Sequence, residues 1–303
     1  MIKKFLAYIT NRFFSRKIDD IKIQKGKIFE FNLNKNLKSI KNIEDVYFKV
    51  FSQDFEDGII QYLLKSLKIS NVKFVEIGTQ DYSESNTRYI FETMRCDGLI
   101  IDPYLNLEKK IKSFCKFWQN NLKIHNKYIN SENINDILKK YSFDKNIDLF
   151  SLDIDGIDYW VLEKIKPKIS KIFVIEYNPY FGYKKKVCAP NIKKFDRFEY
   201  HYTGFCFGAS LKSIISLMKK KGYTFIGTNR LNCNAFFLQD KLIHKINLKL
   251  PIAKNLLKFT EVKFNVLKNK NRKLVSINDL KKEIQNIQVF SLDQNKLLPF
   301  KDT

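Results

Sequence analysis

Val72-Lys73-Phe74-Val75-Glu76-Ile77-Gly78 is a short apolar run that closes on an acid, a hydrophobe and a glycine. Two further stretches share its form: Gly98-Leu99-Ile100-Ile101-Asp102-Pro103 and Ile147-Asp148-Leu149-Phe150-Ser151-Leu152-Asp153-Ile154-Asp155-Gly156. β-Branched and leucine-rich runs that stop at Gly or Pro read as buried parallel strands. In open α/β sheets, ligands bind beyond the carboxyl ends of the strands. The acids Glu76, Asp102 and Asp153 are therefore predicted at one structural height on the ligand side, suited to hold hydroxyl groups or a cation.

Outward from these runs, strands and helices alternate. A helix is predicted within 51–67, with the stripe Ile59, Ile60, Leu63, Leu64 and Leu67, and others over 86–95, 108–119, 131–141 (opened by Ser131) and 159–165. Strands are predicted at 72–77, 99–102, 122–129, 148–153 and 172–177. The pattern then changes. An amphipathic helix over 210–221 ends at Gly222, and strands at 224–228 and 234–238 follow, joined by a turn that suits a hairpin and not a crossover. The expectation is an α/β fold with helices on both faces of a parallel sheet finished by an antiparallel hairpin. Residues 1–50 read as a basic N-terminal extension, 51–240 as the α/β domain, and 241–303 as a lysine-rich C-terminal extension with helical stretches near 253–259 and 277–284.

Composition narrows the partners. The net charge is +23, yet only seven of the 55 basic residues are arginine, and the lysines run from end to end. Base and phosphate readers lean on arginine forks, so no nucleic-acid partner is expected. The charge still suits anionic partners such as nucleotide-sugars, lipid head groups or acidic glycans. Five scattered cysteines without a Cys-x-x-Cys pair fit a reducing compartment. The run Phe5–Ile9 is too short for a signal-peptide core, and the chain is expected to be cytoplasmic. Residues 1–17 place Ile2, Phe5, Leu6, Ile9, Phe13 and Phe14 at near-helical spacing, either as a helix packed on the domain or as a peripheral membrane contact.

Four stretches, Phe51-Ser52-Gln53-Asp54-Phe55-Glu56-Asp57-Gly58, Phe74–Gly78 with Ser85-Asn86-Thr87, Ser151–Gly156, and Val174-Ile175-Glu176-Tyr177-Asn178, make the chain resemble class I S-adenosylmethionine-dependent methyltransferases, more narrowly the FkbM-like group. A fifth, Gly208-Ala209-Ser210-Leu211 through Lys221-Gly222-Tyr223 to Asn234-Ala235-Phe236-Phe237, matches that group's closing helix and hairpin. The likeness implies a Rossmann-like seven-stranded, mostly parallel sheet and transfer of a methyl group to a small-molecule or glycan acceptor. It places Glu76 and Gly78 under the methionine part of S-adenosylmethionine, Asp102 at the ribose hydroxyls, and Ser131 and Glu132 beside the adenine. Asp153 and Asp155 face the cofactor amine and the acceptor, and Gln53 lines the same cleft. The group usually has a second glycine after Gly78, where this chain reads Thr79-Gln80-Asp81-Tyr82-Ser83-Glu84; Tyr82 there either stacks over the cofactor or blocks it.

Elementary chemistry agrees with the resemblance. One carboxylate can accept both hydroxyls of a ribose diol. A sulfonium donor needs no phosphate cradle, so the missing Gly-x-Gly-x-x-Gly speaks only against dinucleotides. Methyl transfer needs positioning and a base near the acceptor hydroxyl, or a cation that acidifies it. Asp153, Asp155 and Glu176 are the candidate magnesium ligands; the alternative for this cluster, Asp158 included, is a helix start decorated with acids. His201 is the candidate histidine base, while His125 reads as a packed or surface histidine within a strand. The aromatic run 177–183 either floors a sugar pocket or packs as a lid. The competing expectation is a catalytically degenerate, methyltransferase-like binding protein, its pocket closed by Tyr82 and its ends docked to a membrane surface or a protein partner.

Overall fold

The computed structural model describes residues 2–115 and 117–303, with side chains described from Phe14 onward except Ser15. The strands are β1 (Asn71–Ile77), β2 (Arg95–Ile101), β3 (Asn121–His125), β4 (Ile147–Leu152), β5 (Ser170–Glu176), β6 (Val187–Cys188), β7 (Tyr223–Thr228), β8 (Asn234–Gln239), β9 (Gln288–Ser291) and β10 (Lys296–Pro299). The helices are α1 (Ile2–Asn36), α2 (Glu56–Ser66), α3 (Arg88–Thr93), α4 (Leu107–Phe114), α5 (Ile134–Lys140), α6 (Asp158–Lys164), α7 (Arg197–Tyr200), α8 (Leu211–Lys220) and α9 (Ile277–Ile284).

The main sheet has the order β3-β2-β1-β4-β5-β8-β7. β1 to β5 run parallel, and β8 lies antiparallel to both β5 and β7. This is the expected Rossmann-like α/β sheet closed by a hairpin. β4 is buried at every position, as a strand covered on both faces must be. Alternate side chains then feed two cores. Val75, Ile77, Leu99, Ile101 and Phe150 pack with α5, α6 and α8. Phe74, Ile100, Leu149 and Val174 pack with α2, α3 and α4.

Register decides where the site lies. Ile77 pairs with Ile101 on one side and Leu152 on the other, and Leu152 pairs with Ile175. The next residues along, Asp102, Gly78, Asp153 and Glu176, therefore form one row at the carboxyl edge. Glu76 does not belong to it. It pairs with Ile100 and Ser151, two residues deeper, which corrects the expectation of Glu76, Asp102 and Asp153 at one height.

Several elements differ from the sequence expectation. α1 runs 35 residues, well beyond the helix predicted over 1–17. Gly26 is a point of close approach within it: a Cβ there would lie 2.7 Å from Val50 and 2.8 Å from the Tyr89 ring. Ion pairs Arg88–Asp19 (2.5 Å) and Lys65–Glu30 (2.8 Å) fasten the helix to α3 and α2. The side chains of Ile2, Phe5, Leu6, Ile9 and Phe13, on which the membrane contact was read, lie outside the described residues. The third strand stops at His125, and α5 starts at Ile134; in the turn before it Asn130, not Ser131, accepts the N–H groups of Glu132 (2.9 Å) and Asn133 (3.1 Å). A second sheet, β10-β9-β6, had no sequence signal, since its strands span two to four residues. Phe181, Val187, Phe205 and Phe207 share a core there with Leu267, Leu280, Ile284, Val289 and Phe300. Among the described residues no helix is long and apolar enough to cross a membrane, and all five cysteines are buried free thiols.

Candidate functional site

The strand order reverses between β1 and β4, and a cavity of about 640 Å³ sits over that switch point. Gln53, Glu76, Gly78, Asp102, Asp153, Asp155 and Glu176 all line it. Those seven sequence-derived residues come together from five separate stretches of chain.

Gly78 is fixed by packing. Its φ is +83°, and a Cβ would overlap the carbonyl oxygen of Asp153. Asp102 holds the loop that follows. Its Oδ2 accepts the backbone N–H groups of Thr79 and Gln80, both at 2.8 Å, and Oδ1 accepts that of Tyr104 at 2.7 Å. Glu76 clamps the loop's other end, accepting from Ser85 Oγ (2.6 Å), Asn86 N (2.8 Å), Thr87 N (3.0 Å) and Thr87 Oγ1. Burial raises the pKa of both acids against these hydrogen bonds. Between the two clamps, Gln80 and Tyr82 take φ of +49° and +64°, left-handed backbone that glycine adopts at less cost. Tyr82 is fully buried and shares a 2.9 Å hydrogen bond with Thr87 Oγ1. It is not among the residues lining the cavity, so it neither stacks over the cavity nor closes it.

The β4 and β5 tips carry an acid pair. Asp153 and Glu176 extend two paired strands side by side, and both carboxyls are held well above their usual range, by burial first and then by neighbouring acids. Like charges this close oppose the ionisation of both carboxyls at once. Glu176 Oε2 and its neighbour Asn234 Oδ1 are buried without a hydrogen-bond partner. Asp155 diverges from this pair. With φ +54° it turns outward and meets Arg197 Nη1 at 2.5 Å. Asp158, off the cavity lining, accepts from Ile154 N (2.8 Å) and Gly156 N (3.0 Å) and so shapes the turn carrying Asp155. The magnesium set is thus not assembled: among the described residues no three acids, histidines or cysteines gather as metal ligands.

Three expected residues fall elsewhere. Ser131 donates to Asn191 at 3.3 Å, Glu132 pairs with Lys193 at 2.9 Å, and neither lines the cavity. Lys127, Tyr128 and Ile129 line it in their place, because the chain turns after His125. His201 is hydrogen-bonded to Thr203 Oγ1 (2.8 Å), its pKa lowered by burial, and is also absent from the lining. The aromatic run packs inside: Tyr177 donates to Phe259 O (2.5 Å), Tyr180 to Phe264 O (2.9 Å), and Phe181 joins the third core. It supports the cavity's roof without touching the cavity. That roof was not read from the sequence: it consists of Lys193, Lys194, Phe195, Arg197 and Phe198, with Phe264, Asn265, Val266 and Lys268 from the C-terminal segment.

No family model matches the chain, and no curated protein matches it. Among solved structures it is similar to a Methanococcus jannaschii fibrillarin pre-rRNA processing protein, at 9% identity and TM-score 0.36 over 56% of this chain and 67% of that one. It is also similar to the pyocyanin biosynthetic protein PhzM, at 10% identity and TM-score 0.33 over 59% of this chain, and it spans only 54% of PhzM. A third is M. capricolum TrmK in complex with S-adenosyl-homocysteine, at 15% identity and TM-score 0.31 over 74% of this chain and 83% of TrmK. At such scores the functional reading rests on the geometry of this chain.

Proposed function

We propose that this chain is an S-adenosylmethionine-dependent methyltransferase that O-methylates a sugar- or glycan-type acceptor. The observation that supports it is the row Asp102, Gly78, Asp153 and Glu176 under one cavity at the switch point. The residues present fit the cofactor. Asp102 uses three of roughly four acceptor positions on backbone N–H groups, which leaves about one for a ribose hydroxyl. Residues 127–129 would hold the adenine, with Tyr128 exposed at the cavity's rim. Gln53, Glu76 and Gly78, which also line the cavity, would hold the methionine end. When bound, S-adenosylmethionine supplies an electrophilic methyl group on a sulfonium.

The chain's own task is to orient the acceptor and take its proton. A carboxylate of the Asp153–Glu176 pair, its proton affinity raised by burial and by the neighbouring acid, accepts the proton of the acceptor hydroxyl. Asp155, committed to Arg197, fixes the roof instead. Phe195, Phe198 and Phe264 offer apolar faces to a sugar ring. The test is incubation with a tritiated methyl donor and a panel of hydroxylated sugars and glycans. Label should enter as a base-stable ether, and the Asp153→Asn, Glu176→Gln double variant should slow transfer by about 100-fold or more. Transfer only to amines or carboxylates would refute the acceptor class.

A further inference from the structure

The cavity is acidic along the strand tips and cationic along its roof. Glu76, Asp102, Asp153 and Glu176 line the first; Lys193, Lys194, Arg197 and Lys268 line the second. Lys193 is engaged by Glu132. Arg197 is the built element. It is only 7% exposed, its Nε donates to Gly204 O at 2.9 Å, and its guanidinium carbon lies 3.7 Å from the Phe207 ring centroid. Nη1 holds Asp155, yet Nη2 is buried without any hydrogen-bond partner. An unpaired guanidinium nitrogen in such surroundings is costly and matches an acceptor still to come. Asp155, with 53% of its side chain exposed, already shows how a carboxylate sits on this guanidinium. Lys268 stands beside it, its Nζ 4.1 Å from the Phe198 centroid, and Lys194 is exposed at the same rim.

Resting on the methyltransferase reading, we infer that the acceptor carries an oxyanion, a carboxylate or a phosphate, held by Arg197 together with Lys194 and Lys268. The unpaired Nη2 donates to an oxygen of either group, and the lysines add point charges. This anchors the acceptor at the roof and turns its hydroxyl toward Asp153 and Glu176.

The experiment titrates glucuronate, glucose phosphate and glucose into the full chain, each with and without saturating S-adenosylhomocysteine. It compares wild type, Arg197→Gln, and a Lys194→Ala, Lys268→Ala double variant. One or both charged sugars should bind about tenfold tighter than glucose or better. Which of them does so separates a carboxylate from a phosphate. That preference should vanish in Arg197→Gln and shrink severalfold in the lysine variant. Equal binding of all three sugars to wild type overturns the inference, as does a folded Arg197→Gln that keeps the preference. If Arg197→Gln does not fold, an unchanged preference in the lysine variant overturns it instead. The cofactor reading is scored apart. Absence of S-adenosylhomocysteine binding in wild type sinks that reading, while the cofactor-free titrations still decide whether the oxyanion site exists.

Discussion

A Cβ on Gly78 would overlap the carbonyl oxygen of Asp153, so the tips of β1 and β4 touch backbone to backbone across the switch point. The glycine serves this approach as well as its φ of +83°. Left-handed backbone alone costs an L-residue about 1–2 kcal/mol, and relieving the overlap would pry the two strand tips apart. Gly78→Ala should therefore lower the urea midpoint by more than that strain accounts for. An unfolding curve superimposed on wild type would show that the tips do not meet.

Tyr82 offers a cleaner separation of stability from binding. Its hydroxyl bonds only Thr87, inside the core. Tyr82→Phe should cost about 1 kcal/mol in denaturant unfolding and leave S-adenosylhomocysteine affinity within twofold. A large loss of affinity at unchanged stability would mean that Tyr82 reaches the cavity.

Asp57 predicts a pH dependence. Its Oδ2 accepts the N–H groups of Val50 (2.7 Å), Phe51 (2.8 Å) and Ser52 (2.9 Å), and burial still pushes its pKa up to about 6. An unfolded aspartate titrates near 3.9, so the folded state holds the proton more tightly. The stability this confers is complete below about pH 4 and is lost as pH rises to about 6. Two units correspond to about 3 kcal/mol. Asp57→Asn removes that titration, and its stability relative to wild type should rise by an amount of that order between about pH 4 and pH 7. A difference that stays flat with pH would mean that the buried carboxyl is not protonated in this window.

Much of this architecture was legible. The runs ending at Gly78, Asp102 and Asp153 announce strands because their apolar residues lie on both faces and stop at Gly, Pro or Asp-x-Asp-Gly. The hairpin at 223–239 was legible from its short turn. Heights were not, since which acids share a row depends on the pairing of Ile77 with Leu152 and Ile101. Ser131 and Glu132 lie off the cavity because the turn after His125 shifts which residues reach it. For His201, residue type and a place beside an aromatic stretch say nothing of where a loop carries the ring. Arg197 carries a signal in its type: it is one of seven arginines in a chain whose other 48 basic residues are lysine. Phe264 and Lys268, which line the cavity with it, come from a segment with no strand or helix to place it, so the roof emerges only in three dimensions.

The most direct measurement is calorimetric titration of the wild-type chain with S-adenosylhomocysteine, paired with thermal melting and with Asp102→Ala. Expected are one site of micromolar affinity, stabilisation by about 2.7 kcal/mol at a ligand concentration 100 times the Kd, and loss of binding in Asp102→Ala. No heat and no stabilisation in wild type would contradict the claim that this switch-point cavity binds S-adenosylmethionine. Undiminished binding in a folded Asp102→Ala would remove the ribose from Asp102.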